Sequence, residues 1–353
     1  MDYPDFFFDG FDTYKDTEQM QEEWSFSHAL SRYVLRTHAN LNDKRCIRII
    51  VSAANAENLL IRSIATARPY AIMGVRAYFS AVDAGSFNTP FVFKIDTASG
   101  TGVCVTLLNS AGNVSVRLGG TGSGSEIFAV AGYIISTAAY YEVEVYRHGT
   151  DGFVGLYRDG NLMGSFSGDT SAITADLTKA SLRAANYSGT NYGYFRDFYF
   201  TGLTSWVTEG GNNLGPGQSV AIEPDADETA EFTPSAGSDN YAMVDDVPND
   251  EDTTYNESST DSHEDIFSHG GLTETGKVFA VGVEYAARRT EVGVMTVRPV
   301  LISGATRENG TGHIPSDDYR VRLGTAFLAD PDDSAAWTPA KVDALTFGYE
   351  NVA

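Results

Sequence analysis

Glu142 and Glu144 stand two apart in YYEVEVY (140–146). In a strand that spacing puts both carboxylates on one face. Paired carboxylates are the equipment of glycoside hydrolysis, one acting as acid and the other as base or nucleophile across a cleft. Here they alternate with Val143 and Val145. The alternation places them on the polar side of an amphipathic strand, and the sequence predicts that side to be solvated. A second kind of chemistry is suggested by ANYSGTNYGYF (185–195), where Tyr187, Asn191, Tyr192 and Tyr194 combine flat apolar rings with hydroxyl and amide groups. Such a patch suits the stacking and hydrogen bonding of a sugar. The same tyrosines also suit packing along a strand and turn.

Other reactive residues fall in patterns that do not assemble a known reaction. His263 and His269 flank Glu264 and Asp265 in HEDIFSH, but the second imidazole comes six residues after the first, not at the His-Glu-x-x-His spacing of zinc enzymes. A polar loop is the expectation, and no metal site is predicted. There is no Gly-x-Ser-x-Gly elbow, and GGTGSGS (119–125) lacks the Lys-Ser/Thr of a phosphate loop. Asp225, Asp227 and Glu228 form one acidic cluster, and Asp245, Asp246, Asp250, Glu251 and Asp252 form another. Hard oxygens in loops are what calcium takes, yet neither cluster follows the EF-hand order. Acidic loops without a cofactor are therefore expected, with calcium the one ion the composition would suit. Cys46 and Cys104, the two cysteines of the chain, read as buried thiols.

The elements that must carry these residues are strands. In 140–166 an alternating segment is followed by Val154 and Leu156, then Asp159-Gly160, then Leu162, Gly164 and Phe166. Asp-Gly is a tight-turn pair, so this reads as an antiparallel meander. Further strands are expected at Ile47–Val51, Met73–Val82, Phe91–Ile95, Val103–Leu108, Val114–Leu118 and Tyr194–Phe200. Beyond these, Val278–Tyr285, Val292–Ile302, Tyr319–Leu323 and Leu345–Tyr349 follow, with Pro299 suggesting an edge strand or a bulge. Helix is sparse: Thr17–Trp24 with Thr17 as cap, and a short stretch at Ala340–Leu345.

With 353 residues, 42% apolar residues and 35 glycines, the chain is predicted to be all-β, with two β-sandwich, jelly-roll-like domains in tandem behind a short N-terminal helical arm. The expected divisions are an arm (1–30), a first sandwich (31–205), a Gly- and Asn-rich linker (206–217) and an acidic second sandwich (218–353). The net charge of −23 is uneven, since residues 209–265 hold 16 Asp or Glu and no Lys or Arg. Such a surface repels nucleic acid and anionic lipid. No apolar run is long enough for a transmembrane helix, and no signal peptide is visible at the acidic start.

Two resemblances accompany this reading. GLYRDGNLMGSF (155–166) and YFRDFYF (194–200, with Asp197 inside it) resemble hairpin and closing strands of concanavalin A-like and laminin G sandwiches. Separately, GFDTYKDTEQMQEEW (10–24), YAMVDDVPNDEDTTY (241–255) and AAWTPAKVDALTFGYENV (335–352) resemble segments of a family of bacteriophage virion structural proteins. That resemblance implies a non-enzymatic component of the virion, assembled in the host cytoplasm and either tail-associated or displayed on the capsid. Its partners would be other virion proteins and copies of itself, with Phe6, Phe7, Phe8, Phe11 and Trp24 as the docking arm; the same N-terminal segment also reads as a short helix covering the edge of the first sandwich, since isolated exposed aromatics are costly in solution. Removing residues 1–24 is then expected to leave the sandwiches folded. The alternatives are a lectin-like module binding a host surface glycan and a polysaccharide hydrolase.

Overall fold

The computed structural model describes residues 6–27, 29–51, 59–79, 92–107, 113–120, 124–131, 137–184, 191–203, 213–291 and 295–353. It is an all-β protein, and the chain forms two compact units. Unit 1 comprises residues 1–11 and 24–219, and unit 2 comprises 12–23 and 220–353. Among the described residues no helix is long and apolar enough to cross a membrane.

Among the described residues unit 1 carries fifteen strands in chain order: β1 (Phe7–Asp9), β2 (Ser25–Phe26), β3 (Tyr33–Thr37), β4 (Arg45–Val51), β5 (Leu59–Arg68), β6 (Tyr70–Phe79), β7 (Phe93–Thr97), β8 (Gly102–Leu107), β9 (Val114–Gly119), β10 (Ser125–Val130), β11 (Ala139–Tyr146), β12 (Gly152–Arg158), β13 (Asn161–Gly168), β14 (Leu177–Arg183) and β15 (Asn191–Leu203). They form two antiparallel sheets. One has the order β13-β12-β11-β6-β15-β4-β3, with β1 added beside the second half of β15; the other has the order β10-β9-β8-β7-β14-β5-β2. Phe93 and Tyr141, from opposite sheets, meet with ring centroids 5.5 Å apart, and Phe79 packs on both Phe93 and Phe195. This is the sandwich core, made by the inward half of each alternating strand. The meander is present as β11, β12 and β13, and its Asp159-Gly160 turn has both residues at positive φ (48° and 79°), as a primed hairpin turn requires.

Of the N-terminal aromatic residues, Phe7, Phe11 and Trp24 are part of this core. Phe7 and Phe11 pack on Trp24 at 5.6 and 5.5 Å, and Trp24 lies edge-on to Phe198 at 4.8 Å. Arg62 caps the Phe7 ring at 3.7 Å. Asp9 fixes the segment, accepting the Phe11 N–H at 2.6 Å and the Trp24 indole N–H at 2.7 Å. Phe6 stacks on Tyr199, and Phe8 joins the same cluster. The docking arm expected from Phe6, Phe7, Phe8, Phe11 and Trp24 is corrected for Phe7, Phe11 and Trp24, which are buried in unit 1 as a segment covering the first sandwich would be, while Phe6 and Phe8 are half-buried beside Tyr199 and β1 pairs with β15. Of the expected helix, only a 3-10 turn at Gln19–Glu22 forms.

Unit 2 is built on a five-stranded antiparallel sheet. Its strands are β16 (Pro224–Ala230), β17 (Thr233–Pro234), β18 (Asn256–Glu257), β19 (Glu264–His269), β20 (Glu284–Ala287), β21 (Thr296–Ser303), β22 (Thr306–Asn309), β23 (Arg320–Leu323) and β24 (Thr346–Val352). The sheet order is β16-β19-β24-β21-β22, and β17 with β18 and β20 with β23 form two ribbons. A short helix, α1 (Pro339–Asp343), is capped by the Thr338 hydroxyl on the Lys341 N–H and closes a core of Val283, Leu301, Trp337, Val342 and Leu345. Pro299 sits in β21, which is flanked on both sides, so it marks neither an edge strand nor a bulge. Its carbonyl faces the β22 side and accepts the Gly310 N–H, so the missing N–H falls on that side too, just past the last ladder pair at Val300–Asn309. Residues 12–23 are anchored within unit 2, where the Gln19 amide bonds Asn249 and Glu251 and Glu22 pairs with Arg322.

Candidate functional site

The chemistry-bearing residues of unit 1 converge on the outer face of the eight-stranded sheet. Pairing register sets them in rows across the strands. Arg48, Tyr194 and Tyr78 form one row, and Arg196, Arg76 and Tyr140 the next. Then come Tyr199, Gly74, Glu142 and Tyr157, followed by Thr201, Ile72, Glu144 and Gly155. Opposite residues in an antiparallel ladder share a face, so Glu142 and Glu144 lie in the middle of this array.

Both carboxylates are 0% exposed. The expectation of a solvated Glu142/Glu144 face is thus overturned. Glu144 accepts hydrogen bonds from the Tyr70 and Tyr157 hydroxyls, the latter at 2.7 Å. Glu142 accepts the Tyr199 hydroxyl at 2.5 Å and the main-chain N–H groups of Leu214 and Gly215 at 2.9 Å each. Buried charges persist only when donors replace water, and these two are so supplied. Desolvation nevertheless holds the Glu142 carboxyl above its ordinary value, against the lowering effect of its three donors, with Glu144 adding to the rise. Burial, then neighbouring negative charge, pushes the Tyr157, Tyr199 and Tyr140 hydroxyls up, so all three stay protonated, and Tyr157 and Tyr199 remain donors. Gly74 is required here: a side chain would strike the Tyr199 ring and lie 2.6 Å from the Tyr140 hydroxyl.

Segment 213–219 is the lid of this array. Besides the two bonds to Glu142, the Ser219 N–H is donated to Asp197 at 3.2 Å, and Leu214 packs among Tyr70, Tyr140 and Tyr199. Of the linker expected at 206–217, residues 206–212 lie outside the described residues, and 213–217 are docked on the sheet. Asp197 is presented by a bulge in β15 between Arg196 and Tyr199, with φ at 48°. Its carboxylate takes the Arg76 guanidinium at 3.1 Å and Arg196 at 3.0 and 3.1 Å. Bulges re-aim side chains in this way, and Asp tolerates the left-handed backbone better than most residues.

The open part of the face is its β4 end. His38, which starts the 3-10 turn Ala39–Leu41, brings its ring to 4.1 Å from Tyr194 and 4.8 Å from Tyr78. Tyr192 lies 6.2 Å from Tyr194, and the Arg48 guanidinium sits 5.0 Å over the Tyr192 ring. His38, Tyr78, Tyr192 and Arg48 are half-buried, and Tyr194 is buried beneath them. Two of the sequence candidates, Tyr192 and Tyr194, are therefore brought together. Tyr187 and the Asn191 side chain lie outside the described residues. The sequence reading missed His38, Tyr78 and Arg48; only the alternation of Tyr78 with Ala77 and Phe79 hinted at its face.

The remaining candidates have local roles. His269 accepts the Gly271 N–H at Nδ1 and donates from Nε2 to the Val342 carbonyl, while His263 meets Ser258. Asp227 caps the N–H groups of Asn240 and Tyr241, Asp250 binds Thr254, Glu251 pairs with Lys15 and Asp252 with Arg288. Among the described residues no group of three or more His, Cys, Asp or Glu is placed to hold a metal ion. Cys46 and Cys104 are buried thiols that form no disulfide.

No protein-family profile and no curated protein matches the sequence. Solved structures similar in fold include the cellulose induced protein Cip1 (13% identity over 57% of this chain and 100% of that one, TM-score 0.40). A Bacillus licheniformis β-glucanase is similar at 11% identity over 56% of this chain and 98% of its own, TM-score 0.37. The metal-free carbohydrate recognition domain of Emp46p is similar at 9% identity over 55% of this chain and 95% of its own, TM-score 0.36. Identities and scores this low carry no argument about ligand or activity.

Proposed function

We propose that unit 1 is a non-catalytic glycan-binding module, and that its ligand is an acidic sugar held at the β4 end of the outer face. The observation that carries this reading is Arg48. The chain has 47 acidic and 24 basic residues, yet no carboxylate partners Arg48 among the described residues, and its guanidinium lies over the face of Tyr192. A half-buried ring cluster offers the flat apolar surface that a pyranose stacks on. A guanidinium beside it offers a fork for a carboxylate. His38 adds no charge at neutral pH, because burial and then Arg36 lower its pKa below 6.5.

Hydrolysis is disfavoured by the state of the carboxylate pair. A general acid must come within hydrogen-bond reach of the oxygen it protonates. Glu142 and Glu144 are instead occupied by tyrosines and by the lid segment. The virion role implied by the sequence resemblance has lost its candidate anchor, since Phe7, Phe11 and Trp24 are core residues.

Calorimetric titration of the full chain with oligogalacturonate and with a neutral oligoglucoside tests the reading. Oligogalacturonate is expected to bind, and Tyr192→Ala and Arg48→Ala are each expected to weaken it about tenfold, or roughly 1.4 kcal/mol. Reducing-end assays are expected to detect no cleavage. Absence of binding to any oligosaccharide removes the module reading, and equal binding of the neutral chain removes the role of Arg48.

A further inference from the structure

We infer that the acidic ligand is a chain with a carboxylate on successive residues, a polyuronate, and that it lies along the β3–β4 hairpin instead of entering the site by one terminal sugar. Such a ligand presupposes the acidic-sugar site at Arg48 and adds two contacts to it, Arg36 and Lys44. What points to it is an island of positive charge. Residues 32–48 hold Arg32, Arg36, Lys44, Arg45 and Arg48 against a single acid, Asp43, in a chain of net charge −23. In unit 2, by contrast, Arg288, Arg289, Arg298, Arg307, Arg320 and Arg322 each pair with a carboxylate. Among the described residues no carboxylate pairs with Arg36, Lys44 or Arg48. The Arg36 guanidinium donates to the neighbouring Thr37 carbonyl, and Arg48 lies over Tyr192.

The hairpin puts these groups on one face. Val34 stands opposite Arg48, so the two share the outer face of the sheet, and Arg36 follows Val34 by two residues on the same side. Arg36 and Arg48 are thus diagonal neighbours, rooted roughly 7–8 Å apart. His38, two residues further along an extended backbone, brings its ring to Tyr194 on that face. Arg36 and Lys44 are exposed, and Arg48 is half-buried at the ring cluster. With bonds near 1.5 Å, a pyranose chain repeats roughly every 5 Å. Two long guanidinium side chains at this separation therefore reach carboxylates on successive residues, each by a fork. The rest of the protein selects this ligand over a nucleic acid strand. Within the island Asp43 is the only acid, so a polyanion reaching past it meets repulsion. That repulsion grows with charge density, and nucleic acid carries one charge per about 3.4 Å of strand.

Calorimetric titration of the full chain with galacturonic acid, tetragalacturonate and a thymidine oligonucleotide of equal charge provides the test. Tetragalacturonate is expected to bind about tenfold or more tightly per residue than the monomer. Arg36→Gln and Lys44→Gln, both at exposed positions, are each expected to weaken the tetramer several-fold and to flatten its dependence on salt. Neither is expected to change the affinity for the monomer or the melting temperature. Equal affinity per residue for monomer and tetramer overturns the proposal, as do glutamine variants that both bind the tetramer like wild type. In either case the acidic-sugar site at Arg48 stands. Absence of binding to monomer and tetramer alike removes the site and the proposal together. An oligonucleotide that binds as tightly as the tetramer also overturns it, because the island then recognises charge alone.

Discussion

Glu142 on β11 holds the main-chain N–H of Leu214, 72 residues further along the chain, at 2.9 Å, and the neighbouring N–H of Gly215 at the same distance. A carboxylate that looks like one half of a catalytic pair is thereby a structural fastener for the lid. The Tyr199 hydroxyl completes its three donors. Removing the acceptor leaves all three unpaired in a dry site, where each lost bond costs about 1–3 kcal/mol. Glu142→Ala is expected to lower stability by about 3 kcal/mol or more, read from urea unfolding.

The same residue makes stability depend on pH in a direction opposite to that of an ordinary paired carboxylate. Its folded-state pKa lies above the ordinary 4.5, chiefly through desolvation. The folded protein therefore holds this proton more tightly than the unfolded chain. Its contribution is fully present below pH 4.5 and is lost as pH rises through the raised value. Glu142→Gln cannot ionise and does not share this loss. The stability of the glutamine variant relative to wild type is expected to increase between pH 4.5 and pH 7. A difference that stays flat across that window would show that Glu142 titrates normally.

Removal of residues 1–24 is expected to unfold the protein, contrary to the behaviour of a free docking arm. The deletion takes Phe7, Phe11 and Trp24 from the core of unit 1 and Met20 and Gln19 from unit 2. Large core truncations of aromatic residues cost about 3–5 kcal/mol each. A milder variant isolates the clasp: Asp9→Ala deprives the Trp24 indole and the Phe11 N–H of their acceptor and is expected to cost about 2 kcal/mol. Retention of cooperative unfolding by the deletion variant in circular dichroism would restore the arm reading.

Much of this architecture was legible in the chain. The meander was visible because Val143, Val145, Val154 and Leu156 alternate and Asp159-Gly160 demands a tight turn. Alternation reports which residues share a face, but not what covers that face. Tyr199 and Leu214 follow Glu142 by 57 and 72 residues, and Tyr70 precedes Glu144 by 74, so nothing local marks the burial of the pair. What the N-terminal aromatics pack on was hidden for the same reason, since Asp9 and Trp24 meet across fifteen residues through a side-chain bond that carries no periodic signal. At the β4 end, Tyr192 and Tyr194 were recognisable by type, whereas His38 and Arg48 join them only through the pairing of β4 with β15.

In unit 2 the equivalent fastener is Asp265, fully buried on β19. Its Oδ1 accepts the N–H groups of Glu231 and Phe232 at 2.9 and 3.0 Å, and its Oδ2 accepts the Asn240 amide and the Tyr349 hydroxyl at 3.0 and 3.1 Å. Burial holds the Tyr349 hydroxyl well above its ordinary value, so it remains a donor. Asp265→Ala is expected to cost about 3 kcal/mol, by denaturant unfolding, because four donors lose their acceptor. Tyr349→Phe removes one donor and is expected to cost about 1 kcal/mol. Equal losses from both variants would mean that the Tyr349 hydroxyl bond, and not the N–H groups of Glu231 and Phe232, carries the contribution of Asp265.

Acid is expected to strengthen glycan binding at the β4 end. His38 accepts the Asn40 N–H at Nδ1, which leaves the proton of the neutral ring on Nε2. Burial, followed by the Arg36 charge, lowers its pKa below 6.5, against the opposing pull of Asp43. The ring is therefore neutral at pH 7, and Arg48 supplies the positive charge of the patch. As pH falls below the lowered value, His38 becomes a second cation 4.1 Å from Tyr194, while a uronate remains ionised down to about the pKa of an ordinary carboxyl group. Oligogalacturonate affinity is expected to be flat from pH 7 to 8 and to rise as pH falls below the lowered His38 value, with the rise abolished in His38→Phe. The low folded-state pKa also means that protonating His38 disfavours the folded state, so stability from this residue is lost as pH falls, opposing the gain in binding. Titrations across this pH range in the same salt separate the two effects, and an affinity that falls on acidification in wild type but not in His38→Phe would mean that the neutral ring, not the imidazolium, meets the ligand.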